Sequence, residues 1–320
     1  MPITEGARPV MSRPTVTVLS GGLGGARVAA ALVAEGIDGR SSFVTNVGDD
    51  LEVGGLLVCP DTDAVLYALA GCFDEDRGWG VRDDTFSAAG ELPWFHIGER
   101  DRAYQMARAE LLARVLGLGD AVRGVAEAPG VRATLAPVTD VPVRTFVTTD
   151  RGTVGWQEWL VRDGARPEPL AVEYRGAVSA TASAVALGAI RDADVLLIAP
   201  SSPVASIAPM FAIRGVLDAI ASRSRLAIAI SPHVAGRAPT APRDIDRARV
   251  RGALLAAHGV AHAPAAIAAW YRDIAGVFVL DPVDALEAPA VAAVGLEALV
   301  APAPLTTAAG LRELVRALTA

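Results

Sequence analysis

The sequence predicts an α/β fold of the Rossmann-like, three-layer type, in which a mostly parallel sheet carries helices on both faces. Short β-branched runs alternate with helix-length segments over most of the chain, which is typical of a parallel sheet. The 320 residues are 52% hydrophobic, enough to fill the core of a large domain. We therefore expect one domain over 1–320, with a core at about 14–75 and 131–320 and a helical insertion at about 76–130.

Two strand–helix units form the first part of the predicted core. The β-branched run at 15–20 predicts a strand, and the apolar stretch at 26–35 predicts the helix that follows it. A second strand is expected at 42–46. The next helix is expected from Asp61 to Gly71, with the Asp61 side chain capping its first turn.

The predicted insertion is helical. From 73 to about 130 the strand pattern is absent, and apolar residues recur at helical spacing through Tyr104, Met106, Leu111, Leu112, Val115 and Leu116. We expect this stretch to cover the carboxyl edge of the sheet.

Three extended segments and a second α/β run complete the chain. The segments are expected as antiparallel additions or as an edge, and the last alternates apolar and polar residues across Trp156, Glu158 and Leu160. They lie at 132–136, 143–149 and 154–161. In the second run we expect strands at 194–199, 226–231 and 277–280, and helices at 181–191, 209–221, 244–258 and from Thr306 onward.

Composition excludes several classes of function. With 29 basic and 36 acidic residues, the chain lacks the excess positive charge of a nucleic-acid-binding surface. Every basic residue is arginine, which excludes Walker-type lysine and Schiff-base chemistry. Cys59 and Cys72 show neither CxxC nor disulfide spacing, and the apolar stretches are too short to span a bilayer. We expect a cytoplasmic protein without nucleic-acid or membrane partners.

A glycine-rich turn follows the first predicted strand. In TVTVLSGGLGGAR at 15–27, the glycines Gly21, Gly22, Gly24 and Gly25 permit positive φ and close approach, and the next helix directs its first N–H groups at an anion. This pattern favours a phosphate cradle. A turn that serves strand–helix packing is the alternative. The spacing is not GxGxxG, which disfavours a nicotinamide-dependent dehydrogenase.

Four aspartates follow the second predicted strand, in TNVGDDLEVGGLLVCPDTDAV. Carboxylates beside a phosphate cradle indicate a divalent metal, and Mg²⁺ needs only one or two of them besides substrate phosphates and water. We expect Asp49 and Asp61 to bind magnesium, with Asp50 and Asp63 orienting or capping. Turn formation and helix capping are the alternative for all four.

Two further loops are candidate substrate sites. Trp79, Arg82 and Asp83, in GWGVRDDTF, could offer a planar surface and a charged fork to a ring system or a phosphate. The loop after the strand at 194–199 exposes Ser201, Ser202 and Pro203, with Ser206 beyond them, at the edge where open α/β sheets bind ligands. Turn formation alone would also explain it. The four histidines lack zinc-site spacing, and no GxSxG sequence is present.

Several of these blocks together resemble the 2-phospho-L-lactate transferase (CofD/FbiA type) family of coenzyme F-420 biosynthesis. The similar blocks cover most of the first 210 residues. They are VLSGGLGGAR at 18–27, TNVGDDLEVGGLLVCPDTDAVLYALAG at 45–71, RGWGVRDDTF at 77–86, WFHIGERD at 94–101, QEWLV at 157–161 and APSSPVASIAP at 199–209.

The resemblance implies a transfer reaction. Family members pass a phospholactyl or phosphoenolpyruvyl group from a guanosine diphosphate conjugate to the ribityl hydroxyl of the deazaflavin Fo, and they release GMP. It also implies a homodimer. At matching positions, the resemblance implies that the glycine loop and Ser201–Pro203 bind the guanosine diphosphate part, and that Asp49 and Asp61 bind magnesium. Asp49 or Asp50 would meet Fo together with Arg82, and one of the two would accept the proton.

The sequence departs from the family pattern at two places. Ser202 stands where the family usually has asparagine, which shortens a hydrogen-bonding arm, and the loop at 232–242 has fewer glycines than is usual. Beyond about 245 the resemblance is loose. A related arm of the superfamily binds nucleotide-sugars as a regulator, which is the non-enzymatic alternative.

Overall fold

A seven-stranded parallel sheet forms the centre of the protein, in a computed structural model that describes residues 14–86, 92–114, 117–223, 225 and 227–319. The spatial order of its strands is β12-β11-β10-β9-β1-β2-β5. Their ranges are β1 Val16–Ser20, β2 Ser41–Thr45, β5 Thr134–Pro137, β9 Val195–Ile198, β10 Ala227–Ile230, β11 Val277–Leu280 and β12 Glu297–Val300. All five residues of β1 are buried, as expected for a central strand covered on both faces.

Helices cover both faces of this sheet. Helix α1 (Gly22–Ala34) packs against α2 (Pro60–Leu69) and α11 (Ala308–Thr319), whereas α5 (Ala184–Asp192) packs against α7 (Val216–Ala221). The α1 connection leads from β1 to β2, and the connection through α6 (Ala208–Phe211) and α7 leads from β9 to β10, in the opposite direction across the sheet. Because both crossovers are right-handed, they lie on opposite faces.

This reversal makes the boundary between β1 and β9 a topological switch point. The connections that follow β1 and β9 lead in opposite directions across the sheet from this boundary. In open α/β sheets, ligands bind at the carboxyl ends of the strands at such a point.

The remaining elements lie outside the main sheet. Leu51–Val53 (β3) and Leu56–Val58 (β4) form a hairpin, and β7-β6-β8 form a small antiparallel sheet from Gly152–Gly155, Arg144–Thr149 and Ala171–Arg175. The other helices are α3 Glu99–Leu112, α4 Leu118–Glu127, α8 Pro242–Ala257, α9 Pro264–Tyr271 and α10 Ala288–Ala293. No helix in the described ranges combines the length and apolarity needed to cross a bilayer.

The predicted fold class is confirmed, with corrections to individual elements. Helix α1 begins at Gly22 rather than at 26, so the glycines belong to its first turn. The segment at 132–136 corresponds to β5, which is a parallel edge strand, whereas 143–149 is antiparallel as expected. Val115, Leu116 and Leu226 lie outside the described residues, and the single-domain division stays a prediction.

The strand predicted at 154–161 is wrong beyond Gly155. The chain makes a π-helical turn at Glu158–Arg162 because Trp156 and Trp159, three residues apart, pack on each other with ring centroids 5.4 Å apart. Trp159 is fully buried, and its indole N–H donates to the Pro167 carbonyl at 2.9 Å. The alternation in the sequence matched a strand, but the tryptophan spacing matches a helical turn.

One further predicted helix is corrected, and several elements were not predicted. The helix expected at 209–221 is divided into α6 and α7 by Gly215, whose φ of 95° only glycine adopts readily. The hairpin β3–β4, strands β8 and β12, and helices α9 and α10 were not predicted.

Candidate functional site

The glycine loop after β1 and the serine loop after β9 are hydrogen-bonded to each other across the switch point. Ser201 Oγ donates to the Gly21 carbonyl at 2.7 Å and accepts from the Gly21 N–H at 3.2 Å. Ser201 is buried, so this reciprocal pair fixes the spacing of the two loops.

The glycines of the first loop permit very close approach by neighbouring protein groups. A Cβ atom on Gly21 would lie 2.0 Å from Asp61 Oδ2, and one on Gly24 would lie 2.4 Å from the Pro200 carbonyl oxygen. Close packing of the two loops and of Asp61 therefore explains these two glycines. Phosphate binding by Gly21, Gly22, Gly24 and Gly25 stays a prediction.

Asn46 joins two of the predicted metal ligands. It directly follows β2, and its side-chain NH₂ donates to Asp49 Oδ1 at 2.6 Å and lies 3.0 Å from Asp61 Oδ2. Its carbonyl oxygen accepts from the Gly48 N–H at 2.8 Å, which fixes the amide orientation. The structure therefore brings Asp49 and Asp61 together on one polar group.

Asp49 and Asp61 belong to a buried aspartate cluster that also includes Asp50, and burial changes their pKa values. Burial raises the pKa of Asp49 well above its usual value, and repulsion from Asp61 and Asp50 adds to the shift. Burial also raises the pKa of Asp61 to about 6, although hydrogen bonds from Asn46, Ser206 and the Gly22 backbone oppose the rise. Both groups are therefore harder to ionise than an exposed aspartate, because too little positive charge lies near them to stabilise the carboxylate form.

Asp50 differs from its neighbours in its hydrogen bonding. It is 3% exposed, and neither carboxylate oxygen has a partner with hydrogen-bond geometry among the described residues, although the Cys59 thiol lies close enough to oppose the rise of the Asp50 pKa. Burial raises the pKa of Asp50 to about 8, against the opposing charges of Arg144 and Arg108. A buried carboxyl group without a partner is costly, which is typical of a group that meets a ligand.

Asp63 has a structural environment. Arg108 forms a bidentate ion pair with it, at 2.5 Å from Nη1 to Oδ1 and 3.0 Å from Nη2 to Oδ2, and also donates to the Leu57 carbonyl. Asp63 Oδ2 accepts from the Cys59 N–H at 3.2 Å, at the start of α2. The helix is thus capped by Asp63, and the prediction that Asp61 caps it is wrong, since Asp61 is directed at Asn46 instead.

Asp49 and Asp61 are a donor set of the kind that magnesium accepts, and magnesium binding stays a prediction. Within the described ranges, no group of three or more His, Cys, Asp or Glu side chains is arranged to hold a metal. Asp49 and Asp61 nevertheless provide two buried carboxylates, and the partnerless Asp50 oxygens lie beside them in the chain. Magnesium commonly binds one or two carboxylates and completes its shell with phosphates and waters.

The predicted Fo residues lie on the loop after α2. Arg82 is exposed, and its Nη2 donates to the Gly71 carbonyl at 2.8 Å. Trp79 is 41% exposed, and its ring contacts Phe86 edge-on at 5.9 Å. Asp83 is exposed with a φ of 55°. Contact of these three residues and of Asp50 with Fo stays a prediction.

The expectation that the serine loop is exposed is wrong: Ser201 and Pro203 are buried and Ser202 is partly buried, because the hydroxyl groups are used internally. Ser202 Oγ accepts from the Ala205 N–H at 3.2 Å and so caps the turn Pro203–Ile207, of which Pro203 is the first residue. Ser206 is buried and hydrogen-bonds Asp61. Guanosine binding by Ser201, Ser202 and Pro203 stays a prediction.

Sequence reasoning missed Asn46 and Arg108. Asn46 directly follows a buried strand at the carboxyl edge, like the glycine and serine loops, and this position could have revealed it. Arg108 carried no such signal. It is 1% exposed on a helix of the insertion and forms its ion pair with Asp63, 45 residues away in the chain.

Known proteins similar to this chain are transferases. The family model described as 2-phospho-L-lactate transferase CofD matches residues 16–270. A phosphoenolpyruvate transferase of Mycolicibacterium smegmatis is 37% identical over 69% of this chain and 75% of its own length. A phosphoenolpyruvate transferase of Mycobacterium sp. (strain KMS) is 34% identical over 94% of this chain and 97% of its own length. A 2-phospho-L-lactate transferase of Methanococcoides burtonii is 32% identical, over 83% and 86%.

The same architecture occurs in a solved structure. A crystal structure of a UPF0052 family member from Bacillus halodurans has a TM-score of 0.58 with this chain at 16% identity, and covers 91% of this chain and 93% of its own. This similarity supports the α/β fold.

Proposed function

This chain belongs to the 2-phospho-L-lactate transferase CofD family, and we propose that it transfers a phosphoenolpyruvyl or phospholactyl group from a guanosine diphosphate conjugate to the ribityl hydroxyl of Fo. GMP is the leaving group. The reaction belongs to coenzyme F-420 biosynthesis, and the enzyme acts with magnesium as a cytoplasmic homodimer.

One observation carries the proposal. The loops after β1, β2 and β9 meet at the switch point, where Asn46 holds Asp49 and Asp61 on one amide and Ser201 joins the two flanking loops. Phosphoryl transfer depends mainly on alignment and charge neutralisation, and buried carboxylates next to the glycine loop can supply both with a bound cation.

Each residue then has a role in the transfer. Asp49 and Asp61 hold magnesium, which when bound neutralises charge on the phosphate oxygens. The glycine loop and Ser201–Pro203 align the guanosine diphosphate part. Trp79 and Asp83 flank the deazaflavin ring, and Arg82 offers its guanidinium to polar atoms of Fo.

The chemical step is an in-line displacement. The ribityl hydroxyl oxygen of Fo attacks the phosphorus that bears the organic acid, and the bond from that phosphorus to the GMP oxygen breaks. An oxygen of Asp50 accepts the hydroxyl proton, since both Asp50 oxygens lack partners in the described structure. Asp49 is the second candidate for this role.

The experiment is mass spectrometry of products after mixing the protein, Fo, magnesium and each donor separately. We expect GMP together with an Fo adduct, and the enolpyruvyl adduct is lighter than the lactyl adduct by two hydrogens. A chain that forms neither product, leaves Fo fluorescence unchanged and binds a UDP-sugar would instead be the nucleotide-sugar-binding regulator.

A further inference from the structure

Helix α8 carries three arginines on one face, beside a stacked pair of histidines. Arg243, Arg247 and Arg251 are four residues apart and therefore neighbours on the helix surface. The ring of His233, from the loop after β10, stacks on that of His262 with centroids 3.8 Å apart. We call these five residues the α8 basic cluster.

Positive charge exceeds negative charge in the contacts of this cluster. Arg27 of α1 lies 3.3 Å from Glu75, whose backbone carbonyl accepts from Arg243 Nη1 at 2.7 Å. The Asp244 carboxylate lies 3.6 Å from both Arg243 and Arg247. Four guanidinium groups, with that of Arg251, thus meet two carboxylates, and the excess attracts an anion.

Three polar nitrogens of the cluster are buried without an acceptor at hydrogen-bond distance. Arg251 Nε and His262 Nε2 have no hydrogen-bond partner in the described part of the chain, and Arg247 Nη1 has the Asp244 carboxylate 3.6 Å away, beyond hydrogen-bond distance. Burial and the neighbouring Arg247 charge lower the pKa of Arg251 to about 10. Buried donors without acceptors are costly, and an oxyanion would satisfy several of them together.

A glycine inside α8 permits this crowding. A Cβ atom on Gly252 would lie 3.0 Å from His262 Nδ1. Glycine weakens a helix interior, so its presence next to Arg251 favours close contact with His262 over helix stability.

The cluster lies next to the proposed substrate loops. Helix α8 packs against the turn Pro203–Ile207, which continues the serine loop. Arg247 Nη2 donates to the Gly78 carbonyl at 3.2 Å, in the loop that carries Trp79. Helix α8 therefore packs on the guanosine side of the proposed site, and its Arg247 contacts the Fo side.

We propose that the α8 basic cluster is an oxyanion subsite, in which Arg247, Arg251 and His262 bind phosphate or carboxylate oxygens. The assignment of this oxyanion to the donor conjugate, which carries both groups, rests on the proposed function. Free phosphate presents the same chemistry and is the second source.

Calorimetric titration of the full chain with inorganic phosphate tests the subsite. We expect saturable binding by the wild type, and binding weaker by about tenfold or more in Arg251→Gln and Arg247→Gln, because a charge-assisted hydrogen bond is lost. Arg249→Gln is the matched control, since Arg249 lies on the same helix but donates to the carbonyls of Gly164 and Ala165. Its affinity for phosphate should equal that of the wild type.

A conservative variant distinguishes loss of the oxyanion contact from loss of folding. Arg251→Lys keeps the charge but not the planar fork, and we expect it to bind phosphate with an affinity between those of the wild type and Arg251→Gln. Thermal unfolding of every variant shows that the compared proteins are folded. Equal phosphate affinity in the wild type and in folded Arg251 variants, or no saturable binding by the wild type, would overturn the proposal.

Titration with GDP distinguishes the two sources. Competition between GDP and phosphate at an Arg251-dependent site assigns the oxyanion to the nucleotide, whereas simultaneous binding assigns it to free phosphate and overturns the donor assignment.

Product analysis separates this inference from the proposed function. Arg251-dependent phosphate binding without product formation would contradict the function alone, and product formation with Arg251-independent phosphate binding would contradict the subsite alone.

Discussion

The carboxylate of Asp61 lies against the backbone of Gly21, so closely that a Cβ atom on residue 21 would come within 2.0 Å of Asp61 Oδ2. The φ of Gly21 is −162°, which any residue adopts. The requirement for glycine at this position is therefore one of space. The contact between Asp61 and Gly21 connects the glycine loop directly to the aspartate cluster.

Gly21→Ala is expected to displace Asp61 and to lower the transfer rate by about a hundredfold, since small displacements of catalytic groups have effects of that size. Overpacking should also reduce the free energy of unfolding by about 1–3 kcal/mol. Steady-state kinetics and urea unfolding measure the two effects. Gly39→Ala is the control, because its nearest neighbour would be 3.8 Å away. A fully active Gly21→Ala enzyme would contradict the prediction.

Asp49→Asn and Asp61→Asn test the magnesium proposal. Each removes one of the two carboxylates that share the Asn46 amide, and turnover at saturating magnesium should fall by about a hundredfold or more. Asp150→Asn, at an exposed turn, should leave the rate unchanged. Near-native turnover in both cluster variants would remove the metal proposal.

Asp50→Asn is expected to stabilise the protein while it abolishes most of the activity. Because burial raises the pKa of Asp50 to about 8, folding at neutral pH requires this carboxylate to take up a proton, and a neutral amide of the same shape avoids that cost. The free energy of unfolding, measured in urea with a chelator present, should rise by about 1–3 kcal/mol. A decrease in stability would indicate that Asp50 has a structural role.

Arg108→Gln is expected to be strongly destabilising. It leaves the Asp63 charge buried and unpaired, which costs about 3–5 kcal/mol. The double variant Arg108→Gln/Asp63→Asn should lose less than the sum of the two single changes. Arg123→Gln provides the comparison, because its ion pair with Asp120 is more than half exposed and should contribute less than about 1 kcal/mol. Additive losses in the buried pair would show that the two residues act independently.

The His233–His262 pair predicts a loss of stability in mild acid. Burial lowers the pKa of each imidazole to about 4, and Arg251 adds to both shifts. Since unfolded histidine has a pKa of 6.5, the unfolded chain binds more protons between pH 6.5 and 4. The stabilisation is therefore complete above pH 6.5 and is lost as the pH falls toward 4.

Unfolding experiments across this pH window test whether the free energy of unfolding decreases as the pH falls. His262→Asn should show a smaller acid-dependent loss than the wild type, whereas His96→Asn, at an exposed position, should follow the wild-type profile. Identical profiles for the wild type and His262→Asn would exclude the pair as the origin.

Most strands of the parallel sheet could be predicted because they are short, buried and rich in β-branched residues, and helix-length segments follow them. The edge strand β12 is half exposed and was not predicted. The antiparallel additions were harder, since β8 is half exposed and its pattern is weak. The hairpin β3–β4 was recognisable in principle, because Gly54 and Gly55 separate two apolar runs and both adopt positive φ. The stretch Trp156–Leu160 matched both the two-residue alternation of a strand and the spacing of a helical turn, and the packing of Trp156 on Trp159 favours the helical turn.

The candidate site was predictable where it follows strand ends. Asp49 and Asp61 were predicted as a pair from loop position, but their common partner Asn46 was not, because an asparagine two residues before a glycine has an ordinary explanation as a turn. The Arg108–Asp63 ion pair and the α8 basic cluster depend on contacts between distant parts of the chain, which local patterns do not encode.

The Gly54–Gly55 turn of the β3–β4 hairpin is exposed, while Asp50 and Asp61 lie on either side of the hairpin at its buried end. A circularly permuted fluorescent protein spliced into this tip would leave both strands paired and would be mechanically coupled to the distance between those aspartates. Its emission could then follow occupancy of the cluster in living cells, as a genetically encoded sensor.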